Sequence, residues 1–364
     1  MNAIVEQWRE RVRAAAADGR SLRLRGGGSK DFYGQSLAGE LLDTREYAGI
    51  VAYEPTELVV TVRCGTPLAE LETALAEKGQ YLAFEPPHFA GGEQAKATVG
   101  GMVAAGLSGP RRAQAGAVRD FVLGTRLLDG KGELLNFGGQ VMKNVAGYDV
   151  PRLLAGSLGT LGLIVEVSLK VLPFAVAERT LRFELPQEEA LLKLSRWGGL
   201  PLPISASALH GGVLHLRLSG AAAAVDAATQ KLGGEVIAAA AATDFWRSLR
   251  EQTHSFFAGD ASLWRLGVPS VTPSLTLSGE QLIEWGGSQR WVRGGVKDEV
   301  RAAALEAKGH ATLFRAAAGG KEAGSGAASV FQPLSAELAR IHHNLKAAFD
   351  PQGVFNPGRM YRDF

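Results

Sequence analysis

The sequence predicts an α+β protein, with a glycine-punctuated N-terminal domain followed by a cap built on an antiparallel sheet. Three observations carry that reading. Up to Pro173, short β-rich runs alternate with helical segments and glycine turns. Beyond it, the apolar runs follow a β-α-β-β-α-β order, which closes as an antiparallel sheet with helices on one face. Glycine also supplies 46 of the 364 residues with no collagen period, so the chain needs many turns or close backbone approaches.

The elements follow in chain order. MNAIVEQWRERVRAAAADGR has the period of an amphipathic helix and lacks a signal-peptide apolar core. Leu58 to Val62 reads as a strand. Gly65-Thr66-Pro67 opens a helix that Gly79 closes, with proline at the start and glycine at the end. FVLGTRLLDGKGELLNFG reads as two strands turning at Asp129-Gly130, and GTLGLIVEVSLKVLP as a further strand running into Pro173. In the cap, ERTLRFEL is a strand, EEALLKLSRW a helix and ISASALHGGVLHLRLS a hairpin at Gly211-Gly212. AAAAVDAATQKLGG is then a helix and EVI the start of a strand, which completes a ferredoxin-like order. LIEWGGSQRWVRG, KDEVRAAALEAKG and HATLFRA give hairpin, helix and strand again, a degenerate second copy. Ala316 to Ser329 reads as a mobile loop, and a helix around LARIHHNLKAAF ends before Asp350-Pro351. The expected division is a first domain at 1–173, a cap at 174–340 and a C-terminal segment at 341–364 that returns to the first domain.

The totals exclude several classes. Lys and Arg number 39 against 37 Asp and Glu, so no global field favours nucleic acid. Cys64 is the sole cysteine, which rules out an intrachain disulfide, an intrinsic iron–sulfur cluster and a cysteine-rich zinc site. No apolar run reaches membrane-spanning length, so a soluble, cytoplasmic chain without a transmembrane segment is expected.

Four glycine clusters stand out: RGGGS at 25–29, ATVGGMVAAGLSG at 97–109, NVAGYD at 144–149 and GSLGTLGLI at 156–164. Each alone reads either as a flexible turn or as bare backbone whose N–H groups could donate to phosphate oxygens. No G-x-x-x-x-G-K-[ST] element supports a P-loop, and no clean G-x-G-x-x-G opens a helix after the first strand. Taken in order with CGTPLAELETALAEKG, the EPP run, GAVRDFVLGTRLLDGKGELL and the closing FDPQGVFNPGRMY, however, the clusters resemble one family. The run is similar to the FAD-binding (PCMH-type) domain of the vanillyl-alcohol oxidase/p-cresol methylhydroxylase superfamily. Within it, SGPRR and EPPHF most resemble the flavin-binding E subunit of bacterial glycolate oxidase. The resemblance implies a two-subdomain FAD-binding fold. It also implies that Arg25, Gly26, Gly27, Gly28 and Ser29 wrap the FAD pyrophosphate. Thr98, Gly100 and Gly101 would meet the same phosphates and the ribityl chain. Pro87, Ser108 and Gly109 would follow along the cofactor. Gly159, Thr160, Gly162 and Ile164 would lie by its adenine and isoalloxazine ends.

Some relatives in that superfamily tether FAD through a histidine in the first glycine loop, where this chain has only Gly or Ser, so non-covalent FAD is expected. Cys64 reads as a small core residue and not a tether. His88 follows Pro86-Pro87 and could face the cofactor or be polar surface. Flavin oxidation of a 2-hydroxy acid needs a cation for the carboxylate, a base for the hydroxyl proton and the flavin as acceptor. Arg265, Arg293 and Arg315 are cap candidates for the cation. Lys143, Asn144 and Tyr148 form a polar set near the expected flavin. No catalytic base is assigned. His342-His343 are adjacent on a helix and point apart, which makes them poor joint metal ligands. Trp285 and Trp291 could mark a partner surface or pack across a hairpin. What the resemblance implies overall is one subunit of a glycolate oxidase, working beside a second flavin subunit and an iron–sulfur subunit, peripheral at the inner membrane face. The alternatives are a self-sufficient FAD enzyme for another 2-hydroxy acid or alcohol, and a flavin-containing assembly subunit that does not turn over.

Overall fold

The structure, a computed structural model, describes residues 3–89, 96–139, 149–317 and 329–364. The opening helix α1 (Ala3–Ala17) buries Val5, Trp8, Val12 and Ala15, a stripe at helical spacing. It lies against Leu22, Leu42, Tyr47 and Phe355. Strand β1 (Leu22–Arg25) pairs in parallel with β2 (Glu40–Asp43), and its Leu22 bridges Phe355 from the far end of the chain. Then come β3 (Ile50–Glu54), β4 (Val59–Arg63), α2 (Leu68–Ala76) and the short β5 (Gln80–Tyr81). They are followed by α3 (Val99–Ala105), α4 (Arg112–Ala115), α5 (Val118–Phe121), β6 (Val122–Leu128), β7 (Leu134–Gly138) and α6 (Val150–Leu154). Strand β8 (Leu163–Lys170) and the short β9 (Leu172–Pro173) complete this half.

Five strands form an antiparallel sheet in the order β3-β4-β8-β6-β7. Central β8 is buried at seven of its eight residues although its sequence, LIVEVSLK, alternates from Val165 onward; the buried polar members are satisfied, Glu166 by Arg126 and Ser168 by Thr61. Helices α2 and α3 share a core with this sheet through Leu68, Leu71, Met102 and Val103. The β6–β7 turn forms at Asp129-Gly130, whose Asp129 carboxylate accepts from the N–H groups of Lys131 and Glu133.

The cap is one eight-stranded sheet with an internal repeat. β10 (Ala177–Glu184), α7 (Gln187–Gly198), β11 (Ile204–His210), β12 (Val213–Gly220), α8 (Ala222–Leu232) and β13 (Glu235–Val236) give the strand order β13-β10-β12-β11. After helix α9 (Ala239–Arg250), the strands β14 (Leu263–Gly267), β15 (Glu280–Glu284) and β16 (Gln289–Arg293), helix α10 (Lys297–Glu306) and strand β17 (His310–Arg315) follow. Their order, β15-β16-β14-β17, mirrors the first copy: fourth, first, third and second strands take equivalent places, and β11 pairs with β15 at the join. The second copy replaces the helix between its first two strands with an irregular stretch carrying Pro269 and Pro273. Strand β14 and helix α9 have no counterpart in the sequence reading. The expected mobile loop at 316–329 falls mostly outside the described residues.

The C-terminal helix α11 (Ala336–Phe349) leads into the closing motif. Lys346 Nζ donates to Asp350, to Thr160 O at 2.8 Å and to Phe355 O at 2.9 Å. The Asp350 carboxylate in turn accepts from the N–H groups of Val354 and Phe355. Among the described residues no helix is long and apolar enough to cross a membrane.

One buried ion cluster ties the two halves together. Glu85, held at φ 48° beside Pro86-Pro87, accepts from Arg111 Nε at 3.0 Å and Arg111 N at 2.9 Å. It also accepts from Arg217 of β12 at 2.9 Å. Arg111 continues to Ser219 and Glu178 on cap strands, and Arg217 stacks on Trp246 with its charge 4.8 Å from the ring centre. Burial opposes ionisation of Glu85, but the guanidiniums of Arg217 and Arg111 hold it below the usual glutamate range. Glu85→Gln would leave buried Arg217 without its counter-charge and Arg111 with only the exposed Glu178, and a loss of about 3–5 kcal/mol at pH 7 is expected. Because the folded value is depressed, that contribution is present above the unfolded-state value and is lost as pH falls through the folded one. Urea unfolding of both chains between pH 7 and pH 3 should show the gap closing in acid.

Candidate cofactor site

The loop after β1 turns sharply over the N-terminal end of α3. A Cβ at Gly26 would stand 2.1 Å from Thr98 Oγ, and one at Gly27 would stand 1.5 Å from Lys96 O. Gly28, at φ 75°, lies over the Arg25 guanidinium, which pairs with Asp31 at 2.7 Å. These contacts leave no room for a side chain at any of the three positions. The N–H groups of Gly26, Gly27, Gly28, Ser29 and Lys30 find no acceptor among the described residues. Consecutive unsatisfied amides on a turn form a concave anion cradle.

Opposite this loop, α3 enters against the Cys64–Thr66 turn. Gly100 N donates to Cys64 O at 2.8 Å, and a Cβ on Gly100 would meet the Cys64 Cβ at 2.6 Å. Thr98 caps the helix by accepting from Gly101 N. At Gly101 itself a Cβ would meet only the Thr98 hydroxyl, at 3.1 Å, and would project into the space between the loops. The third side is the 156–164 turn, where Gly159 (φ 72°) lies against Asn356 and Gly162 (φ 150°) against Leu128 O.

One cleft therefore gathers Arg25, Gly26, Gly27, Gly28, Ser29, Thr98, Gly100, Gly101, Gly159, Gly162 and Ile164. Thr160 lies beneath it, fully buried, its hydroxyl donating to Ser157 O. Sequence reasoning missed Lys30, Leu158, Asn356 and Arg359, which line the same cleft. Asn356 accepts from Leu24 N at 2.8 Å and donates to Leu158 O at 2.7 Å, and so clamps two walls together. Arg359 directs its guanidinium to the carbonyls of Asp31, Tyr33 and Gln35 and thereby shapes the loop. The signal for both was the closing FNPGR stretch, recognised as a motif but given no site role. A cradle of free amides beside bare glycine walls fits a diphosphate-bearing cofactor.

Pro87, Ser108 and Gly109 stand elsewhere, in a narrow pocket beneath the cap with Arg265, Glu284, Gln289, Trp291 and Phe314. The cap grips this loop directly, since Trp285 Nε1 donates to Gly109 O at 3.0 Å. Burial pushes Glu284 up to about 7, although Trp291 and Gln289 donate to it and the Arg265 charge is close. Of the three cap arginines, only Arg265 lines this pocket. Arg293 is half-buried and paired with Glu280, and Arg315 donates to Gln252. Trp285 and Trp291 are buried, so neither offers a partner surface.

Cys64 is buried, and burial pushes its thiol up to about 12. The His88 ring bonds to Glu72 at 2.9 Å, and its backbone N–H donates to Glu251. The His343 ring meets Ala339 O and Asp363 O, and His342 packs against Tyr361 and Phe364. No metal-holding cluster occurs among the described residues. Lys143, Asn144 and Tyr148 lie outside the described residues.

Residues 4–138 match the FAD binding domain family. The chain is 49% identical to glycolate oxidase subunit GlcE of Escherichia coli over 97% of its length and 96% of that protein. It is 31% identical to glycolate oxidase subunit GlcD of Bacillus subtilis, over 36% of this chain and 27% of that one. It is also 34% identical to a D-lactate dehydrogenase of Archaeoglobus fulgidus, over 41% of this chain and 33% of that one. Among solved structures, an alkyldihydroxyacetonephosphate synthase superposes with a TM-score of 0.64 at 14% identity, covering 97% of this chain and 74% of that one. That likeness shows the fold.

Two outcomes test the site. Gly27→Ala must displace the Lys96 carbonyl, so the variant should purify with markedly less flavin than the wild type while its circular dichroism is unchanged. Glu284 carries a folded-state value above its ordinary 4.5, so it lowers stability as pH rises from about 4.5 to about 7. Glu284→Gln removes that loss. It should match the wild type in acid and exceed it by about 1–3 kcal/mol above pH 7, as read from urea midpoints.

Proposed function

The chain belongs to the family of glycolate oxidase subunit GlcE, and we propose that it is the FAD-binding subunit of a glycolate oxidase. The observation that carries the reading is the row of amides at Gly26 to Lys30 that find no acceptor among the described residues, set against the bare backbone of Gly100 and Gly101. In this reading the amides of 26–30 and the hydroxyls of Ser29 and Thr98 hold the FAD diphosphate. Gly159, Gly162 and the Ile164 backbone line the remaining length of the cofactor. FAD binds without a covalent bond, because the loop offers no histidine or cysteine and the Cys64 thiol is sealed beneath Gly100.

When bound, FAD supplies the acceptor for the two electrons released as glycolate becomes glyoxylate. The protein's own part is to orient and to exclude water. Pro87 and the Ser108-Gly109 loop form the floor of the pocket beneath the cap, with Phe314 and Trp291 closing it. Arg265 is the cation placed to meet a small carboxylate there. The division at 1–173, 174–340 and 341–364 corresponds to a cofactor domain, a cap and a returning segment. A second flavin subunit and an iron–sulfur subunit receive the electrons, and they hold the complex at the cytoplasmic face of the membrane.

The visible spectrum of the purified chain, followed by acid precipitation, tests the reading first. A flavin band, with FAD freed into the supernatant, is expected. Anaerobic glycolate should then bleach the flavin only when the partner subunits are present. Bleaching by the isolated chain would favour a self-sufficient enzyme, and no bleaching even in the complex would favour an assembly role.

A further inference from the structure

Lys30 directly follows the glycine loop and lines the same cleft as Gly26 to Ser29, Thr98 and Gly101. Lys30 is half-buried, and its ammonium has no carboxylate within ion-pair distance among the described residues. Its contacts are Ser29 Oγ at 3.3 Å, His88 O at 3.5 Å and the face of Phe89 at 5.5 Å. The neighbouring carboxylates are engaged elsewhere. Asp31 pairs with Arg25, and Glu251 accepts from the His88 and Phe89 amides and from Arg250. The other two cations of the cleft are also committed, Arg25 to Asp31 and Arg359 to backbone carbonyls. A buried cation lacking a counter-charge is costly, and the cost is offset when an anion occupies the adjoining space.

We propose that Lys30 is the cation that neutralises the diphosphate of FAD, completing a cradle whose remaining donors are backbone amides. The inference rests on the FAD reading above. Amides offer only partial charges, whereas a diphosphate brings full negative charge into a half-buried cleft, and a point-charge ammonium on a flexible stem can follow it. Without the anion, burial lowers Lys30 to about 8, only partly opposed by the Glu251 charge. Binding the diphosphate to the protonated form therefore draws in a proton once the solution is more alkaline than that value. Among the described residues the titratable groups around Lys30 are Arg25, Asp31, Tyr33, His88, Glu251 and Arg359. Of these, His88 is the one imidazole, and His88→Gln serves as its control.

The test is the FAD dissociation constant of the flavin-stripped chain between pH 6.5 and 9.5, with ADP as a second ligand that carries the diphosphate alone. Wild type and His88→Gln should bind FAD with steady affinity below about pH 8, weakening towards tenfold per pH unit above it. Lys30→Met should bind FAD and ADP about 10- to 100-fold more weakly at pH 7, with no slope above pH 8. Lys30→Arg, always charged, should restore most of the affinity and also lack the slope. The apo Lys30→Met chain should unfold no earlier than the wild type, because it loses an uncompensated buried charge. Equal FAD affinity in Lys30→Met and wild type would overturn the assignment, as would a slope that persists in Lys30→Met. A loss confined to FAD with ADP unaffected would overturn it too, placing Lys30 at the flavin ring. Failure of the wild type to take up FAD or ADP would overturn the cofactor reading itself, and this inference with it.

Discussion

The Glu85 carboxylate, buried between Arg111 and Arg217, sets the relation between the two halves of the molecule. A carboxylate removed from water survives as an ion only when its lone pairs are filled by charged donors, and here they come from both sides of the join. Arg111 belongs to the SGPRR loop of the first domain, while Arg217 projects from the middle of the cap sheet. The cap is thus held where Trp285 can reach Gly109 and where Arg265 can enter the pocket beside Pro87. Because Glu85 itself follows Phe84 in the core of the first domain, the latch stands on a rigid base.

Within the first domain the governing constraint is different in kind. The cradle is made by what is missing: side chains at positions 26, 27, 100 and 101. At three of these a Cβ would collide with Thr98, Lys96 or Cys64, so the close approach of two backbones is built into the packing before any ligand is considered. The fourth, Gly101, faces the open space. Backbone donors do not depend on the identity of the residue that carries them.

How much of this was legible in the sequence follows from the same distinction. The glycine clusters at 25–29, 97–109 and 156–164, the Pro67 and Gly79 helix limits and the Asp129-Gly130 turn are local signals, and the elements they mark are where they should be; the cluster at 144–149 falls mostly outside the described residues. The β-α-β-β-α-β order and its repeat were also readable, since they rest on periodicity. Strand β14 was not, because LWRLG is too short to show a period. Helix α9 was not, because its alanine-rich start carries no capping residue. The site residues missed were those brought in from far along the chain. Asn356 reaches Leu24 across more than three hundred residues, and no spacing rule joins them. Lys30 was overlooked for another reason. A lysine after a glycine loop reads as a solvated surface charge until the structure buries it against Phe89.

The two kinds of constraint meet at the loop from Ser108 to Arg112. Gly109 N donates to Phe84 O, and a Cβ at Gly109 would stand 2.5 Å from Glu85 O, so this loop is packed on the latch itself. Its carbonyl is held by Trp285, and Arg112 lies over the Trp285 ring with its charge 4.5 Å from the centre. A shift of the cap is therefore felt at the backbone that floors the pocket, and also at the end of α3, where Ala105 packs in one cluster with Trp291 and Phe314. Asn356 and Arg359 fasten the walls of the glycine-lined cleft to each other, and the loop that Arg359 holds reaches the cap through Phe32 and Tyr33, whose rings pack on Phe314. The glycine-lined cleft and the pocket beneath the cap are thus joined by shared packing, because Tyr33, Ala105 and Leu158 lie in one cluster with Trp291 and Phe314 of the cap sheet.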